Sequence, residues 1–114
     1  MNKPAAKDDL EFVRHIAEAI TLIETYLENV REEEFIKSRE KQDAVMRELI
    51  VVGEASKKIS DAFKAKNPLV EWRSLAAVRD ILVHQYFKIN ADAVWSTSKN
   101  DLPTLKKKLS ALLK

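Results

Sequence analysis

Hydrophobic residues recur three or four positions apart along most of this chain, and that spacing predicts helices nearly throughout. Leu10, Val13, Ala17, Ile20, Ile23, Leu27 and Val30 form a first stripe. Asp8 or Asp9 can cap that helix by accepting its first free N–H groups. A second stripe, Ala44, Val45, Leu49, Val52, Ala55, Ile59 and Phe63, predicts a long central helix from about Ser38. It should stop before Asn67-Pro68, since proline cannot continue the hydrogen-bond ladder. Leu75, Ala76, Val78, Ile81, Leu82 and Val83 predict a third helix ending near Tyr86-Phe87. Asn90 suits the cap of a last helical region holding Val94, Trp95, Leu102, Leu105, Leu109 and Leu112. Within it, Asp101-Leu102-Pro103 fits a first turn better than a helix interior, so a break is expected near Asn100. The acidic run Glu32, Glu33 and Glu34 before Phe35-Ile36 predicts a connecting turn or short helix with a solvated face. No stretch alternates as a strand would. The expected architecture is an all-α antiparallel bundle of four to five helices, one domain over residues 8–114 behind a flexible leader at 1–7.

Composition agrees with helices and narrows the chemistry. The only glycine is Gly53, in the middle of the second stripe, where it costs about 1 kcal/mol against alanine; close approach of another helix is the simplest compensation. Twenty Lys and Arg against eighteen Asp and Glu leave a charge of +2, so any contact with a nucleic acid has to be local. With no cysteine and only His15 and His84, neither a disulfide framework nor a transition-metal cage is expected, and no cofactor is implied. Trp72 and Trp95 sit among apolar neighbours and are expected in the core rather than as stacking platforms. Lys106, Lys107 and Lys108 are expected on the wet side of the last helix. No segment has the roughly 20 apolar residues of a membrane span, nor the apolar run of a signal peptide, and a cytoplasmic location is expected.

Chemistry concentrates in one stretch, Arg79-Asp80-Ile81-Leu82-Val83-His84-Gln85-Tyr86. Histidine can exchange protons near neutral pH, and the arginine fork fits a phosphate. On an ideal helix Arg79 and His84 stand about 140° apart, whereas Arg79 and Tyr86 share a face. Either the helix ends near His84 and re-aims the imidazole, or a second copy supplies the complementary group across a two-fold axis. Asp80, four residues before His84, can hold the ring if the helix persists. By spacing alone, a structural role is equally open: Arg79 in a surface ion pair, His84 at a helix terminus, Tyr86 and Phe87 in the core.

The stretch RDILVHQYF resembles the Arg-x4-His-x-Tyr signature of HepT proteins, a branch of the HEPN helical domains. The resemblance extends through Gln42 to Ser60 with Gly53-Glu54-Ala55, through Pro68, Trp72 and Arg73, and into Val94-Trp95 and Asp101-Leu102-Pro103. It implies a metal-independent endoribonuclease toxin that acts as a homodimer, beside an antitoxin of the MntA nucleotidyltransferase type. Under that resemblance Arg79 and His84 are catalytic, Asp80 supports them, and Tyr86 is the residue the antitoxin modifies with AMP. A non-catalytic helical partner of a nucleotidyltransferase and a structural homodimer are the competing readings.

Overall fold

The computed structural model describes residues 6–84 and 90–114, with the side chains of 6, 7 and 79–84 outside that description. Helix α1 spans Ala6–Tyr26, α2 Glu32–Lys37, α3 Arg39–Lys58, α4 Asp61–Lys66, α5 Trp72–His84, α6 Ala91–Ser96 and α7 Leu102–Leu112, with a π-helical turn at Thr97–Asp101 joining the last two. Among the described residues there is no strand, so the all-α expectation holds.

Helix α1 already includes Ala6, which places Asp8 and Asp9 in its first turn instead of at its cap. Asp9 is instead buried, and its carboxylate accepts from the Ser60 backbone N–H at 2.8 Å and from the Ser60 hydroxyl at 2.7 Å. The first helix also ends earlier than its stripe suggested. Leu27–Asn29 form a turn in which Asn29 takes φ 61°, a left-handed geometry that asparagine tolerates, and Val30 packs on the core from beyond it.

The second stripe is divided. The helix starts near Ser38 as expected, with Ser38 capping α3 by accepting from Lys41 N at 3.1 Å, but it ends at Lys58. Ile59 turns extended and Ser60 starts α4, its hydroxyl accepting from Phe63 N at 3.2 Å. Ser60 is thus fixed from both sides, by its own helix and by Asp9. The short α2 is held at its other end by Gln42, whose amide donates to the carbonyls of Phe35 at 2.9 Å and Ile36 at 3.0 Å, groups that a helix end leaves unpaired.

The last helix corrects a further expectation. No break occurs near Asn100: α6 runs through the π-helical turn into α7 with every junction residue right-handed. Leu102 N–H bonds back five residues to the Thr97 carbonyl. Pro103 has no N–H to give and its ring collides with the preceding turn of a regular helix, which a wider turn relieves. Asn90 caps α6 as expected, accepting from Ala93 N at 3.1 Å.

Four long helical runs carry the core. Asp9 beside Ser60 sets α1 antiparallel to α3, Ser56 beside Trp72 sets α3 antiparallel to α5, and Lys106 paired with Glu24 at 2.7 Å ties α7 to α1. Val13, Ile16, Ile20 and Ile23 of α1 meet Val45, Leu49 and Val52 of α3, and Leu102 and Leu109 close the interior. Each such fully buried branched side chain contributes about 1.5–3 kcal/mol. Trp72 is buried in the core as expected, whereas Trp95 is half-buried at its edge, 5.5 Å from the ring of fully buried Phe35 and with the Lys99 ammonium 5.1 Å from its own ring centre. Gly53 is buried on α3, which packs against both α1 and α5.

Candidate functional site

Helix α5 carries the Arg79–His84 stretch singled out in the sequence, and its start is pinned by several contacts. Trp72 donates from Nε1 to the Asn67 carbonyl at 3.0 Å and sets its ring edge-on to Phe63 at 6.1 Å. Asn67 in turn donates its amide to the Phe63 carbonyl at 2.9 Å, closing the end of α4. Ser56, fully buried on α3, donates to the Trp72 carbonyl at 3.3 Å. The helix therefore leaves its first turn in a direction fixed by both α3 and α4.

From there the backbone stays helical through Arg79, Asp80 and His84. Their side chains lie outside the described residues, and Tyr86 lies outside them altogether. Arg79 and His84 are five positions apart on one continuous helix, so their Cα atoms stand about 140° apart around its axis and about 7.5 Å apart along it. The described helix ends at His84, and both alternatives read from the sequence, an imidazole re-aimed at the helix end and a complementary group from a second copy, lie outside the described residues.

Immediately before the motif, α5 forms one wall of a groove of about 340 Å³. Leu49 and Val52 of α3 floor it, Leu75 and Val78 line one side, and Leu102 and Leu105 the other. Its rim is polar: Glu71 and Ser74 from the α5 side, Thr97, Asn100 and Asp101 from the π-helical turn, Thr104 and Lys108 from α7. Lys108 thus faces the groove rather than open solvent alone, Lys106 is engaged by Glu24, and Lys107 is exposed. Hydrophobic periodicity could not find this groove, because its residues come from three separate helices and the π-helical turn re-phases one wall.

Among the described residues, no group of three or more His, Cys, Asp or Glu side chains is gathered as a metal site would require. No described helix is long and apolar enough to cross a membrane. His15 sits at the surface 3.5 Å from Glu11 and edge-on to Phe12 at 5.8 Å, on α1.

Comparison with known proteins places this geometry. The profile of the HepT-like family, described as "Ribonuclease HepT-like", matches residues 16–112, which includes all of α3, α5 and α7. A Thermococcus cleftensis protein named "Probable ribonuclease HepT" is 41% identical over 104 residues, covering 91% of this chain and 94% of the relative. A Methanocaldococcus jannaschii protein with a provisional RNase name is 37% identical over 108 residues, 95% of this chain and 89% of that one. Another protein of the same organism, whose name joins a gamma-glutamylcyclotransferase to a provisional RNase, is 36% identical over 107 residues; the match covers 94% of this chain but 48% of that protein. No solved structure matches the chain significantly.

Proposed function

The chain belongs to the HepT-like ribonuclease family, and from that premise we propose that it is a metal-independent endoribonuclease toxin whose active unit is a homodimer. The observation that carries the mechanism is the continuous helix through Arg79 and His84. One straight helix sets these two residues on different sides, so a single phosphate is best reached by Arg79 of one protomer and His84 of its partner across a two-fold axis.

In this reading the ribose 2′-oxygen attacks the adjacent phosphorus as its proton leaves, the bond to the 5′-oxygen breaks, and that oxygen takes up a proton. The products are a 2′,3′-cyclic phosphate and a free 5′-hydroxyl. His84 accepts the first proton or supplies the second, Arg79 stabilises the charge that builds on the phosphoryl oxygens, and Asp80 steadies the motif. No step requires a metal or a cofactor. Tyr86 is the control point: an MntA-type nucleotidyltransferase transfers AMP from ATP to its phenol oxygen, with loss of the phenol proton and release of pyrophosphate, and the added anion repels the RNA phosphate from Arg79 and His84. The location consistent with such a toxin is the cytoplasm, where its RNA substrate is.

Incubating purified protein with RNA in excess chelator tests the mechanism. Wild type should cleave and leave cyclic phosphate ends, and His84→Ala should be slower by about 10²–10⁴-fold. Intact RNA with wild type, or equal cleavage by the variant, overturns it.

A further inference from the structure

In an antiparallel arrangement of four long helices each neighbouring pair can pack, yet among the described residues one seam is open. Helix α3 packs along α1 and α5, and α7 packs on α1, whereas between α5 and α7 lies the groove floored by Leu49 and Val52. Val78 and Leu105 are half-buried in its walls, above a floor of buried Leu49 and Val52. Their position is specific: Val78, on the groove wall, is followed directly by Arg79, whose Cα is about 3.8 Å away.

We propose that this groove binds a nucleobase of the RNA substrate, one or two nucleotides from the cleaved bond, and that it selects a base bearing an exocyclic amino group. The proposal rests on the ribonuclease reading above. A space of about 340 Å³ holds one unstacked base and part of its ribose, and an apolar floor with a few polar groups at the rim is the chemistry of a heterocycle pocket. Single-stranded RNA is read in this way, base by base, once its bases are splayed from the stack. The rim supplies the discrimination. Asp101 and Glu71 are both exposed and form no ion pair among the described residues, so their carboxylates are free to accept from an amino group, as they do from cytosine N4. Asn100 uses its amide nitrogen on Ser96 Oγ at 3.2 Å, which leaves its carbonyl oxygen as a further acceptor. Three acceptors at the rim favour a base with an exocyclic amino group over uracil, whose exocyclic groups are both carbonyls and whose single donor is the ring N3–H. Lys108, at the same rim, offsets part of the negative charge that would repel the adjoining phosphate.

The probe is a pool of single-stranded 12-mer RNAs of random sequence, cut by the full-length protein and sequenced at the cleavage ends. Wild type should disfavour uridine by about tenfold at one position within two nucleotides of the cut, the discrimination expected of one good base contact. Asp101→Asn, which turns an acceptor into a group that also donates, should flatten that preference while cutting remains. Leu105→Trp, which fills the groove, should lower cleavage through KM more than kcat; circular dichroism and the dimer mass by light scattering check that each variant is folded and assembled. Cleavage with no base preference near the cut, unchanged by either variant, overturns the groove proposal and leaves the ribonuclease standing. Loss of the dimer in folded Leu105→Trp would assign the groove to a second copy and also overturn it. Free AMP or CMP competing at the groove without any base preference in RNA would assign it to a nucleotide ligand instead. No cleavage of any RNA by wild type overturns both readings together.

Discussion

Asp9 and Ser60 are 51 positions apart in sequence, and both oxygens of the Asp9 carboxylate are engaged by Ser60, one by its N–H and one by its hydroxyl. The contact joins the first turn of α1 to the point where the second helical stripe divides. It also explains why that stripe divides: Ser60 is offered a buried carboxylate for its N–H in place of the carbonyl four residues back that a continuing α3 would provide.

Removing that carboxylate should cost stability more than activity. Asp9→Ala leaves the Ser60 N–H without its partner in a site that is nearly closed to water, and a loss of about 2–3 kcal/mol is expected in urea melts. A change under 0.5 kcal/mol would show that water replaces the carboxylate freely.

Two inactive variants should rescue each other if the site is shared. Arg79→Ala and His84→Ala protomers, co-expressed in equal amounts, form mixed dimers in half of all assemblies, and one of two clefts in each mixed dimer keeps both groups. About a quarter of wild-type cleavage should return. Mixed dimers that form but stay inactive would place both residues of each site on one protomer.

Ser98 offers a test of the opposite sign. Its hydroxyl is buried in the π-helical turn with no hydrogen-bond partner among the described residues, so Ser98→Ala removes an uncompensated polar group and should stabilise the fold by about 1 kcal/mol, or roughly 3–5 °C in Tm. A lower Tm would mean that the hydroxyl holds a water.

Acid should loosen α2 locally. The Arg31 backbone N–H donates to the Glu34 carboxylate at 3.1 Å, and with the Arg31 guanidinium at 3.2 Å it holds that carboxyl below its ordinary value of 4.5. A depressed folded pKa contributes stability above the unfolded value and loses it as pH falls through the folded one. Carbon-detected NMR titration should therefore find Glu34 titrating below 4.5, and Arg31→Ala should restore only part of the shift, because the backbone N–H remains. Full restoration would make the guanidinium the main cause.

Much of the fold was legible because a buried helical face repeats every three or four residues: Val13, Ile20, Ile23 and Leu27 were recognisable on α1, and Val45, Leu49 and Val52 on α3. The local cap at Asn90 was equally plain, since it bonds within three residues. What escaped notice depends on distant partners. The division at Ser60 requires Asp9, and Ile16, fully buried beside the expected Ala17, is set by where α3 lies. The candidate site was visible as letters around Arg79 and His84, through the resemblance of that stretch, while the groove beside it depends on three helices meeting.

The π-helical turn bears on how this chain can change length. Val94 and Leu102 are both buried though eight residues apart, a separation that would leave them about 80° out of phase on a regular helix. A turn closed five residues back absorbs one extra residue, about 100°, and restores the alignment of Leu102, Leu105 and Leu109. The segment Thr97–Asn100 is thus a place where one residue can be deleted with the downstream face still turned inward, while the same deletion at Thr104 would swing Leu109 out of the interior. Natural gaps among relatives, and designed ones, should collect in that single turn.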